Sequence, residues 1–145
     1  MYQIIYRSTT PRHLDAEALM RILTRSREFN TRYGVTGCLL YDGETFLQLL
    51  EGPKDVVSIL YERVIIPDPK HRDCELVAER QAPQRIFDQW RMGFYHMKML
   101  DRQMIDGLMQ ASLDDLMAVL DHEPCRMKRI LRDFVEANQA QLRNR

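Results

Sequence analysis

Hydrophobic and polar positions alternate in two rhythms along this chain. Tyr2, Ile4 and Tyr6 alternate with Gln3, Ile5 and Arg7, the period of a strand with two unlike faces. After the loop Ser8-Thr9-Thr10-Pro11 the period lengthens. Leu19, Ile22, Leu23 and Phe29 form the apolar stripe of a helix running to about Tyr33. Asp15 suits its N-cap, Leu14 and Leu19 a hydrophobic staple, and Gly34 its end. Residues 36 to 41 and 45 to 50 read as a hairpin, with Asp42-Gly43 suited to a tight primed turn. Gly52-Pro53 opens a second helix with Pro53 at its first position. Val56, Val57, Ile59, Leu60, Val64 and Ile65 fit its buried side, and Pro67 and Pro69 stop it. Residues 73 to 80 read as a fourth strand, 84 to 88 as a short helical turn, and 91 to 96 as a fifth strand.

This order predicts an α+β fold: a ferredoxin-like sandwich with a five-stranded mixed sheet and two core helices on one face. The other face needs a cover. Ile105, Leu108, Met109, Leu113, Leu116, Met117 and Leu120 form one helical stripe, and Met127, Ile130, Leu131 and Phe134 another. Two C-terminal helices packed there would close the sandwich; left bare, that face would be a dimer surface. The expected organisation is a domain over residues 1–97 and a helical extension over 98–145.

Charge sharpens this division. Residues 1–97 carry 13 basic and 13 acidic side chains, 98–123 two and six, and 124–145 six and two. The helix after Pro124 is therefore basic and offers a surface for a partner or a second subunit. The whole chain balances at 21 of each sign, which argues against a broad nucleic-acid surface. No apolar run approaches the roughly 20 residues of a membrane span, and no signal peptide is visible at the start. A cytoplasmic protein is expected. Cys38, Cys74 and Cys125 are widely spaced and read as small buried hydrophobes, not metal ligands. No histidine spacing suggests a metal either.

Several polar residues sit where apolar ones are expected. Gln48 shares a strand face with Phe46 and Leu50. Buried there, its amide either bonds the backbone or meets a ligand that both donates and accepts. Tyr6 belongs to a strand that this topology places beside or near that of Gln48; it is either core filler or a functional phenol. Asn30 either finishes the first helix or faces inward as another amide. Trp90 and Met92 read as filler on the last strand, and Gly37 permits close backbone approach. Lys70-His71-Arg72 is either a solvated loop or a phosphate contact at a pocket mouth. Glu51 makes no catalytic pair, and no nucleotide loop or metalloprotease motif is present.

Together IIYRS at 4–8, N-x-x-x-G-V-T-G at 30–37, FLQLLEG at 46–52, D-x-x-H at 68–71 and W-R-M at 90–92 resemble the BLUF family of blue-light sensors, over residues 2–97. The resemblance implies FAD, its ring between the two core helices. It implies that Tyr6 gives an electron and a proton to the excited flavin, and that Gln48 bonds both the tyrosine and the ring. It gives Asn30 the ring's polar edge, and Arg63, Lys70 and His71 the pyrimidine side or phosphates. It gives Trp90 and Met92 the relay of the change, without fixing which faces inward. Phe29 departs from the polar residue of many relatives and would cover the ring without hydrogen-bonding it. The loop around Pro67 and Pro69 is slightly longer than the family pattern.

A flavin offers an apolar body with a donor-acceptor edge, which suits such a slot. The expected protein is a sensor, not an enzyme; the resemblance implies a separate partner, a cyclic-dinucleotide enzyme or a transcriptional regulator, and a homodimer or higher homo-oligomer. The competing readings are a cofactor-free scaffold of the same fold and a small ferredoxin-like enzyme, for which no nucleophile or acid-base pair stands out.

Overall fold

The computed structural model describes residues 1–98 and 112–143. The strand β1 (Tyr2–Thr9) is followed by helix α1 (Ala16–Tyr33). Asp15 caps α1 by accepting from the Ala18 N–H at 2.8 Å, and Gly34 closes it at φ 73°, donating to Asn30 O. The hairpin strands are β2 (Thr36–Tyr41) and β3 (Thr45–Gly52), then α2 (Lys54–Ile59), β4 (Arg72–Gln81) and β5 (Gly93–His96). The sheet order is β4-β1-β3-β2-β5, antiparallel except for the β2–β5 pair. That is the ferredoxin-like order with one added parallel edge strand. Close pairing is enforced at Gly37, where a Cβ would lie 2.1 Å from Leu49 O.

The sheet separates two cores. On one face Ile4, Tyr6, Leu39, Phe46 and Leu50 pack with Leu19, Leu23, Val57, Leu60 and Ile65 of the helices. On the other, Ile5, Cys38, Leu40, Leu47 and Leu49 pack with Leu116, Leu120, Met127, Leu131 and Val135. These last come from α3 (Leu113–Asp121) and α4 (Arg126–Arg143), the two helices expected to cover that face. Leu113, Met117, Ile130 and Phe134 pack against the same core, while Ile105, Leu108 and Met109 lie outside the described residues.

Six local expectations need correction. At the hairpin only Gly43 takes positive φ; Asp42 instead turns the chain by accepting from the Glu44 and Thr45 N–H groups. Pro53 stands just before α2, as its cap residue. From Leu60 to Ile65 the second helix is π-helical, which shifts its face and leaves Val64 50% exposed; Ile59, just before it, is also 50% exposed. Residues 84 to 88 form no helical turn, and β5 begins at Gly93, so Trp90 to Met92 precede the strand. Of the cysteines only Cys38 is fully buried, its thiol pushed up to about 12 by burial; Cys74 and Cys125 are half-buried.

Candidate functional site

β1 and β3 are neighbours in mid-sheet, and their register sets Tyr6 directly opposite Gln48. Both side chains point to the α1/α2 face. The Tyr6 hydroxyl donates to Gln48 Oε1, and Gln48 Nε2 donates to Met92 Sδ at 3.1 Å. All three are buried. Burial foremost raises the Tyr6 pKa well above its ordinary value, with Cys74, Tyr61 and Asp68 adding to the shift. Tyr6 is therefore a neutral phenol that keeps its proton.

This row lines a cavity of about 260 Å³ between α1 and the second helix. Its walls are apolar: Ile22, Phe29, Leu39, Leu50, Leu60, Val64 and Ile65. Asn30 is buried on α1, one amide N–H committed to Arg91 O at 2.5 Å. Arg25, Ser26, Asp68, Lys70 and His71 also line the cavity. His71 Nδ1 lies 2.7 Å from Ser8 Oγ, and its ring packs 5.2 Å from that of Phe46 and 5.9 Å from that of Tyr6. Burial lowers the His71 pKa; Asp68 opposes this and Lys70 adds to it. Asp68 also accepts from the Lys70 N–H at 2.9 Å, which turns the loop that lines the cavity here.

The structure thus brings together Tyr6, Phe29, Asn30, Gln48, Lys70, His71 and Met92 around one cavity. Of the expected cofactor-binding residues it leaves out Arg63, and of the relay pair it turns Trp90 away. Arg63 is exposed on the second helix and does not line the cavity. Trp90 lies on the other side of the sheet, stacked on Phe87 with ring centroids 5.0 Å apart. Sequence reasoning missed Arg25 and Ser26, although Ile22, Ser26 and Phe29 follow helical spacing and mark one face of α1. It also passed over Glu51, whose buried carboxylate accepts from the Phe87 N–H at 2.8 Å and the Ile86 N–H at 2.9 Å. Glu51 also accepts from Thr36 and Gln3, and burial raises its pKa against these hydrogen bonds. No group of metal-ligating residues occurs among the described residues.

The cavity fits a planar group with an apolar body and a polar edge. Apolar side chains line it together with a phenol and two amides. A family model described as sensors of blue light using FAD matches residues 1–93. The blue light- and temperature-regulated antirepressor BluF of Escherichia coli K12 is 32% identical over 111 residues, 77% of this chain and 27% of that protein. The photoactivated adenylate cyclase subunit beta of Euglena gracilis is 40% identical over 80 residues, 54% of this chain and 9% of that one. The chain thus spans about a quarter or less of these two relatives. Among solved structures, Klebsiella pneumoniae BlrP1 with FMN and cyclic diGMP matches with TM-score 0.73 at 26% identity, over 93% of this chain and 34% of that one. The dark-state structure of BlrB matches with TM-score 0.65 at 28% identity, over 94% of this chain and 96% of that one.

Proposed function

The chain belongs to the BLUF family, sensors of blue light using FAD, and from that premise we propose that Tyr6, Gln48 and Met92 convert absorption into a rearranged hydrogen-bond row. The observation that carries this reading is the buried row itself, Tyr6 to Gln48 to Met92. Bound FAD would supply the blue absorption and, once excited, an oxidant able to draw on a phenol. Asn30, Phe29, Lys70 and His71 would hold it, with Ile22 and Val64 closing the apolar walls. The proposal leaves out Arg63, which is exposed.

The residues themselves suit the chemistry. A neutral phenol buried at high pKa does not ionise by itself, but loss of an electron makes its proton strongly acidic. That proton already rests on a hydrogen bond to Gln48 Oε1. Gln48 is then the group that must change, because its amide joins Tyr6 on one side and Met92 on the other. When the electron returns, the pair can close with the amide in a second orientation or tautomer. The Gln48–Met92 bond is the contact such a change would break.

The signal would pass from Met92 to the opposite sheet face, where Trp90 packs in the same core as α3 and α4. We propose residues 1–97 as the photosensory unit and 98–145 as its capping and contact extension. This unit signals without an enzyme activity of its own, in the cytoplasm and to a separate partner, a cyclic-dinucleotide enzyme or a transcriptional regulator. Self-association as a homodimer or larger assembly belongs to the same proposal. No helix among the described residues is long and apolar enough to cross a membrane. The relatives' names support the two partner classes. On α4, Arg126 and Arg129 are exposed and available to such a partner.

The test is an absorption spectrum of the purified protein before, during and after blue light. A reversible red shift of the oxidised-flavin bands is expected, lost in both Tyr6→Phe and Gln48→Leu. A colourless protein even after FAD addition would return the scaffold reading. Bleaching to reduced flavin without a shift would indicate redox chemistry instead.

A further inference from the structure

Residues Trp90 to Met92 run between the two faces of the sheet without being part of it, and their three carbonyls are each held differently. Trp90 O accepts from the Gly37 N–H at 3.0 Å, a bond from the adjoining strand. Arg91 O accepts from Asn30 Nδ2 at 2.5 Å. Met92 O accepts from Arg27 twice, from Nε at 3.2 Å and Nη2 at 3.1 Å. Arg27 and Asn30 are one helical turn apart, so one edge of α1 grips consecutive peptide groups. Arg27 does not line the cavity and reaches this segment through the Met92 carbonyl.

This grip decides where two side chains go. With Met92 O turned to α1, the Met92 side chain enters the cavity and its Sδ receives the Gln48 amide. Trp90 is sent to the opposite face. Its ring there lies over Gly93, where a Cβ would sit 2.5 Å from Trp90 Cε3. Withdrawing Met92 from Gln48 by a turn of its peptide breaks the Arg27 contact. Arg27 is half-buried at the rim, so water can replace it on Met92 O when it leaves. The contact is strong because a charged group donates two hydrogen bonds, and it remains reversible because it is reached by solvent.

We propose that Arg27 is a positioning residue of the photosensory site: it latches the Met92 carbonyl, holds Met92 against Gln48, and must release for the relay segment to move. This rests on the photosensory reading, which supplies the movement. It adds a residue outside the cavity that sets how long the changed state lasts.

The experiment uses Arg27→Met, which keeps the length of the side chain without its donors, and Arg27→Lys, which keeps the charge and one donor. Both are made in the full chain loaded with FAD. The first readout is methyl NMR of ¹³C-methionine protein in the dark, with the Met92 signal assigned from Met92→Leu. The Met92 signal is expected to move and broaden in Arg27→Met, with smaller change in Arg27→Lys and with the signals of Met127 and Met20 unmoved. The second readout is recovery after blue light. Recovery is expected to slow about tenfold in Arg27→Met, since a charge-assisted hydrogen bond that favours the Met92-inward arrangement is gone, and less in Arg27→Lys. An unmoved Met92 signal in Arg27→Met overturns the latch, whatever the photocycle does. Recovery within twofold of wild type overturns its control of lifetime. Flavin loss or unfolding in both variants, read by bound-flavin absorbance and melting, also overturns it, because Arg27 would then serve the cofactor site or the fold. If wild type shows no photocycle while the Met92 signal still moves, the photosensory reading fails and the structural latch stands.

Discussion

His96 closes β5 with its ring buried between His13 and Tyr41, at centroid distances of 6.1 and 5.1 Å. Its Nδ1 accepts from the Lys98 N–H at 3.1 Å, which requires that nitrogen to be unprotonated. Burial foremost pushes its pKa from 6.5 down to about 4; His13 and Lys98 add to this, and Asp42 opposes it. A base whose folded pKa lies below its unfolded one contributes stability that is complete above about 6.5 and lost as pH falls toward about 4. Urea midpoints should therefore fall across that window in wild type and fall less in His96→Gln, whose side chain cannot take up the proton. Parallel decline of the two proteins would mean that other groups carry the acid sensitivity. Nothing in the local sequence marks His96 as buried and neutral, because His13, Tyr41 and Asp42 meet it from two distant segments. Tyr6 and Gln48 were legible because strand alternation and strand order placed them on one face.

At the scale of elements, the segment 83–92 shows how a stretch without regular structure can be held. Its N–H groups at Ile86 and Phe87 end on Glu51, and Arg85 donates to Thr36 and to the backbone of Gly34 and Glu51. Glu51→Ala would orphan both N–H groups, at a cost of about 1–3 kcal/mol each where water cannot reach them. Chemical denaturation should show a loss of at least about 2 kcal/mol, and a loss under half of that would mean the segment finds other acceptors. The second helix teaches a related lesson. Its six apolar positions suggested one continuous buried face, yet a π-helical turn from Leu60 changes the angular step and moves Val64 outward. Val64 then borders the cavity, where a bound ring would cover it.

Across the whole molecule, one sheet serves two cores, so its two faces stand or fall together. Leu131 is fully buried among Ile5, Leu40 and Leu49, on the face away from the cavity. Leu131→Ala should cost about 2–5 kcal/mol, the range for emptying a buried leucine site. Flavin release and far-UV circular dichroism should then report the same shifted unfolding midpoint. Separate midpoints would show that the α3/α4 face unfolds independently of the photosensory face. The type and approximate ends of most elements, the helical cover of the second face, and the family were set by the sequence alone, since alternation, caps and glycine positions act within a few residues. The path of residues 83–92, the separation of Met92 from Trp90, and the exclusion of Arg63 from the cavity were decided only by tertiary structure. The groups that hold Ile86, Phe87, Arg91 and Met92 lie 35 to 65 positions away along the chain, so no local pattern could announce them.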